Sequence, residues 1–137
     1  MEKDNLINFI KENNLIEKVS LINFQKNPFN LIKSSDLFTL SSIYEGLPNV
    51  LLEALTLKKF VISTMCPAGP KEILLNGKAG YLFRPGDYKT LSKLIISFKR
   101  NKKKLSKKID YGYKGLGRFD QNKNLKKYLN EIKSLLY

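Results

Sequence analysis

The sequence predicts an α/β fold in which a parallel sheet is flanked by helices and followed by a helical C-terminal segment. Short apolar, β-branched runs alternate with helix-periodic stretches through the first 98 residues, the pattern of parallel strands joined by crossover helices. Proline, glycine and asparagine mark the junctions between them. After Phe83 no strand-like run remains, and lysine-rich helical patterns finish the chain.

The elements follow in order. Lys3 to Asn14 carries Leu6, Ile7, Phe9 and Ile10 at helical spacing, which fits an amphipathic helix. Val19 to Asn23 (VSLIN) is a β-prone run, and Asn27-Pro28 turns into a short helical stretch over Phe29 to Lys33. Asp36 to Leu40 (DLFTL) is the next strand; SSIYEG then leads to Pro48, whose fixed φ and missing N–H suit the start of a helix running to about Leu57. Phe60 to Thr64 (FVIST) is a further strand, and the stiff loop CPAGP follows it. Lys71 to Leu75 is a helical turn stopped by Asn76-Gly77, and Gly80 to Phe83 is a strand ended by Pro85-Gly86. Asp87 is placed to N-cap a helix with Leu91, Leu94, Ile95 and Phe98 on one face. Two more basic helical segments complete the chain.

Composition sets outer limits. A chain of 137 residues, 42% hydrophobic, suffices for one domain with one core. No apolar run approaches the roughly 20 residues that span a bilayer, and MEKDNLINF lacks the basic region and apolar core of a secretory signal. A cytoplasmic location is therefore expected. One cysteine, Cys66, and no histidine leave a disulfide framework, a structural zinc site and a Ser/His/Asp triad without their components. Of the net charge of +13, the stretch from Lys99 to Tyr137 holds +10, with 13 Lys/Arg against Asp110, Asp120 and Glu131. Such a face suits an anionic partner or is simply solvated.

The strand DLFTL runs directly into SSIYEGLPN, so that loop lies at the carboxyl edge where parallel α/β sheets bind ligands. A helix started by Pro48 directs the N–H groups of Asn49, Val50 and Leu51 outward, with the positive end of the helix dipole behind them. An anion such as a phosphate fits there. Glu53 lies about 7.5 Å further along the helix axis, where a carboxylate can accept hydrogen bonds from a ribose diol. Glu45, in the loop, faces what lies beyond the phosphates. Ser41 and Ser42 either bond phosphate or cap the local backbone, and Tyr44 either lines the sugar pocket or packs the loop, with core the expected place.

The run E-G-L-P-N-V-L-L-E resembles the E-x7-E motif of the retaining, GT-B-fold glycosyltransferases called group 1 or family 4. VSLINFQKNP resembles that family's strand and loop near the nucleobase, and FVISTMCPAGPKEILLNGKAGYLFRPGD its following strand, Pro/Gly loop and closing strand; the match fades after about Phe98. The resemblance implies a Rossmann-like domain, the donor-binding C-terminal domain of a GT-B enzyme. It implies that Glu45 is the catalytic-site acid contacting hydroxyls of the donor sugar and that Glu53 holds the ribose. Backbone amides around Gly46, Leu47, Asn49 and Val50 would hold the diphosphate and sugar, and Phe24 and Lys26 would border the base, unless Phe24 is a core aromatic. Glu72 would orient backbone N–H groups. The donor would be a nucleoside-diphosphate sugar, most simply UDP-linked, used in polysaccharide, lipopolysaccharide or capsule biosynthesis. No D-x-D motif is present, so neither metal nor cofactor is expected.

Measured against that family, residues 1–98 correspond to part of the nucleotide-sugar-binding domain and 99–137 to a basic helical segment of the same domain. Two strands, the acceptor-binding domain and the family's Arg/Lys pair for diphosphate are not matched; Arg84 and Lys71 do not occupy the pair's positions. Acceptor binding is then expected from a missing or separate domain, and little activity from the chain alone. Either VSLIN pairs with DLFTL in a four-stranded sheet, or DLFTL has an open edge. The basic segment points to an anionic membrane surface at the membrane's inner face, and no nucleic acid is expected. Two alternatives stand beside this reading: another GT-B-like sugar-nucleotide enzyme, and a noncatalytic basic module binding anionic lipid or nucleic acid.

Overall fold

A computed structural model of the chain describes residues 2–136. Its centre is a parallel three-stranded sheet in the order β1 (Leu37–Leu40), β2 (Phe60–Thr64), β3 (Tyr81–Phe83). Leu37 pairs with Phe60 and Leu40 with Ser63 along the first ladder, and Ile62 pairs with Tyr81 and Thr64 with Phe83 along the second. Helices α1 (Glu2–Glu12) and α2 (Phe29–Ser34) precede the sheet. Helix α3 (Asn49–Thr56) crosses from β1 to β2, and α4 (Pro70–Ile73) with a 3-10 turn (Leu75–Gly77) crosses from β2 to β3. Then come α5 (Tyr88–Asn101), α6 (Ser106–Gly115) and α7 (Gln121–Leu136), joined by 3-10 turns at Lys102–Leu105 and Leu116–Phe119.

Strand alternation divides the core between the two faces of the sheet. Val61 packs with Leu51, Leu55, Ile73 and Leu74 beneath α3 and α4. Phe60 and Ile62 point the other way, to Phe83, Phe98 and Leu105. There the Phe60 ring stacks on Phe98 with centroids 5.2 Å apart and meets Tyr81 edge-on at 5.0 Å. With neighbours on both edges and both faces, all five residues of β2 are buried. Helix α6 presses closely on α3, since a Cβ on Gly112 would fall 2.8 Å from Leu55 Cδ2. No residue of α7 is buried.

Basic side chains fasten several helix ends, where carbonyls lack intrahelical partners. Lys59 Nζ donates to the carbonyls of Lys33 and Ser35 at 2.6 and 2.8 Å, closing α2. Arg118 reaches the carbonyls of Glu72 and Ile73 and so ties the C-terminal region to α4. At α5, Asp87 accepts from the Thr90 N–H at 2.9 Å, the N-cap that the sequence predicts.

Two expectations need correction. Val19–Asn23 is not a strand: the stretch is irregular and exposed, with Ile22 at 59%. An extended run becomes a strand only with a ladder partner, and β1 pairs with β2 alone. The four-stranded alternative therefore fails, and among the described residues the outer edge of β1 carries no strand. The turn after CPAGP also differs, since the helix is the single turn Pro70–Ile73 and Leu75, Asn76 and Gly77 all take positive φ.

Candidate active site

Because the three strands are parallel, the loops after β1, β2 and β3 emerge on one rim. The first, residues 41–48, carries the predicted site. Pro48 is the N-cap of α3, not its first helical residue. The Leu51 N–H donates to the Pro48 carbonyl at 3.0 Å, so it is not among the outward-directed groups as expected. The first two amides of the helix, Asn49 and Val50, are the ones that lack an intrahelical acceptor by position. Glu53 follows, half-buried, in the second turn of α3.

Glu45 is half-buried in the loop, and its Oε1 accepts the Ser42 hydroxyl at 2.7 Å. Ser42 thus bonds a carboxylate instead of capping backbone. Its own carbonyl receives the Thr64 hydroxyl at 2.6 Å and the Cys66 thiol at 3.1 Å, so the end of β2 grips the loop after β1. Neither Thr64 nor Cys66 stood out in the sequence as part of the site; the one available signal was the polar pair Ser63-Thr64 closing an otherwise apolar strand.

The loop after β2 presses on the same segment. Gly69 has φ +81, and a Cβ there would lie 2.1 Å from the Gly46 carbonyl oxygen. At Gly46 itself a Cβ would meet nothing within 4 Å, so the protein's own packing does not require a glycine there. The missing side chain leaves clearance beside the helix N-terminus, where a ligand can approach the backbone.

Glu45, Gly46, Leu47, Asn49, Val50 and Glu53 thus form one continuous loop and helix. Leu47 is exposed, and so are Ile43 and Tyr44, at 78% and 76%. Tyr44 is therefore a rim side chain and not core, because the loop turns it away from both clusters. Phe24 and Lys26 lie on the irregular stretch before α2, which Lys3 ties to α1 through Asn23 Oδ1 at 2.9 Å. Phe24 is 92% exposed, so it is not a core aromatic. Arg84 is an exposed cation on the loop after β3 and Lys71 an exposed cation in α4, and Glu72, also in α4, is exposed. Among the described residues no three Cys, Asp or Glu side chains gather closely enough to hold a metal ion.

The sequence profile of the glycosyl transferases group 1 matches residues 1–115. This chain belongs to that family. A 72-residue stretch of the chain is 50% identical to an uncharacterized glycosyltransferase of Methanocaldococcus jannaschii, covering 53% of this chain and 18% of the relative. The N-acetylgalactosamine-N,N'-diacetylbacillosaminyl-diphospho-undecaprenol 4-alpha-N-acetylgalactosaminyltransferase of Campylobacter jejuni is 38% identical over 80 residues, 58% of this chain and 22% of that enzyme. Matched stretches thus span about a fifth of these relatives' length. Among solved structures, Anabaena HepE in complex with UDP superposes with a TM-score of 0.86 at 22% identity, covering 96% of this chain and 36% of HepE. The group 1 fold is thus present here as a three-stranded parallel sheet with its helices. Among the described residues no helix is long and apolar enough to cross a membrane.

Proposed function

We propose that this group 1 glycosyltransferase chain is the donor-binding part of a retaining enzyme that takes a nucleoside-diphosphate sugar, with a UDP-sugar as the donor. The observation that carries the reading is the arrangement of Glu45, the cleared backbone at Gly46, the N-terminus of α3 and Glu53 along one rim. An anionic diphosphate is matched by the helix N-terminus, the sugar by Glu45 and the ribose by Glu53. UDP in the related HepE complex supports the choice of nucleotide. In the full reaction the bond from the anomeric carbon to the diphosphate breaks and a bond to an acceptor hydroxyl forms. UDP leaves, the acceptor proton is released, and the sugar keeps its anomeric configuration. The departing charge is stabilised by the positive end of the α3 dipole, in a metal-free, cofactor-free site.

The acceptor is a lipid-linked or polysaccharide sugar, a reading supported by the diphospho-undecaprenol substrate in the name of the Campylobacter relative. Polysaccharide, lipopolysaccharide or capsule assembly is the corresponding process. Holding acceptor and donor together lowers a barrier by up to about 7–11 kcal/mol, and that task falls to a further acceptor-binding domain. Release of UDP from a UDP-sugar with acceptor extract tests this, with and without such a domain added to the 137-residue chain. Donor binding with transfer only after the addition is expected. Robust acceptor-dependent release by the chain alone, or failure to bind any nucleotide sugar, overturns it.

A further inference from the structure

Ser42 joins the two loops of the rim. Thr64 and Cys66 are almost fully buried, at 0% and 1% exposure, so their polar hydrogens must find partners inside the protein. Thr64 gives its one hydroxyl proton to the Ser42 carbonyl across 2.6 Å. The thiol then has two acceptors within reach, the same carbonyl at 3.1 Å and Thr64 Oγ1 at 3.2 Å. The backbone of Ser42 is thereby clamped to the end of the most buried strand. Its hydroxyl takes no part in that clamp and donates to Glu45 Oε1 at 2.7 Å.

We propose that Ser42 is the positioning residue of Glu45, held by Thr64 and Cys66 through its carbonyl and fixing the carboxylate through its hydroxyl. A glutamate on a surface loop samples many rotamers, and a charge-assisted hydrogen bond selects one before any ligand arrives. With Oε1 occupied by Ser42, Oε2 is left for the ligand. Gly69, seated against Gly46, keeps the loop from retreating. The direction in which Glu45 is held, toward the donor sugar, rests on the function proposed above; the clamp itself does not.

Side-chain relaxation of Glu45, measured by NMR on the full chain without ligand, tests the clamp. Ser42→Ala should lower the Glu45 methylene order parameter and Ser42→Thr should restore it, with the backbone amide spectrum and melting temperature close to those of the parent. Thr64→Val should give a partial loss. Titration with UDP and UDP-glucose adds the functional arm: Ser42→Ala should weaken UDP-glucose about tenfold and leave UDP unchanged. An equally ordered Glu45 in Ser42→Ala overturns the proposal whatever the ligands do. Equal weakening of both nucleotides also overturns it, placing Ser42 on the phosphates. Loss of Glu45 order in a protein that binds neither nucleotide upholds the clamp and removes the donor-binding function.

Discussion

Gly69 and Gly46 approach so closely that a Cβ on Gly69 would fall 2.1 Å from the Gly46 carbonyl oxygen and 2.5 Å from Pro48 Cδ. The two loops are therefore set against each other by the absence of a side chain at one position. At φ 81 and ψ −69, Gly69 also occupies a backbone region that costs other residues about 1–3 kcal/mol. Gly69→Ala should lower the melting temperature clearly and weaken nucleotide binding as well. Gly46→Ala, which meets open space, should melt like the parent yet lose nucleotide-sugar affinity. Thermal melts and calorimetry on both variants decide this; a destabilised Gly46→Ala protein would show that its glycine serves the fold.

Glu53→Gln should weaken UDP binding by roughly 1.5–3 kcal/mol, the range for a hydrogen bond to a charged group, while the fold stays intact. Glu45→Gln should spare UDP and weaken only the intact sugar nucleotide. Calorimetry with UDP and UDP-glucose separates the two roles. Matching losses for both ligands in Glu45→Gln would end the division of labour between these acids.

Asp87 should contribute an acid-sensitive part of the stability. Hydrogen bonding from Thr90, through its side chain and then its backbone N–H, holds the half-buried Asp87 carboxyl below the ordinary aspartate range. A depressed folded-state pKa gives stability that is complete above the unfolded value of about 3.9. That stability is lost as pH falls through the folded value. Melts from neutral to acid pH should show a shallower acid decline in Asp87→Asn, which keeps an N-cap oxygen without titrating. Superimposable curves would show that protonating Asp87 leaves the cap intact.

The basic C-terminal region should favour anionic over neutral vesicles. Lys99–Lys104 line a concavity of about 510 Å³, and α7 adds Lys123, Lys126, Lys127 and Lys133 around an exposed apolar stripe that includes Leu125, Leu129 and Ile132. Basic side chains beside apolar ones suit the interface of an anionic membrane. Cosedimentation at low and high salt measures it. Equal partition to neutral vesicles would leave the lysines as a solvated surface, and salt-sensitive capture of nucleic acid with indifference to UDP would favour the noncatalytic basic module.

Much of this architecture was legible because local signals and global packing agree. Pro48, through its fixed φ, and Asp87, through its capping carboxylate, mark helix starts by local chemistry that needs no tertiary context, and the alternation of Phe60, Val61 and Ile62 sends side chains to two separate cores. VSLIN was misread because β-propensity reports fitness for a sheet, whereas strand formation needs a neighbour with which to exchange hydrogen bonds. The candidate acids Glu45 and Glu53 could be picked out from their order along the chain, and they lie on the loop and helix that follow β1. The hold of Thr64 and Cys66 on Ser42 could not, since it joins residues 22 and 24 positions apart through a backbone carbonyl, a group that every residue carries.

The outer side of β1, which carries no strand among the described residues, also bears on colloidal behaviour. The backbone groups that alternate residues of β1 turn outward offer a template to any extended segment, including one from another copy. Against this stands a net charge of +13, which repels copies over a distance that shrinks from about 30 Å at 0.01 M ionic strength to about 3 Å at 1 M. Dilute salt should therefore keep the isolated chain dispersed, and raising the salt should bring on turbidity through edge-to-edge growth.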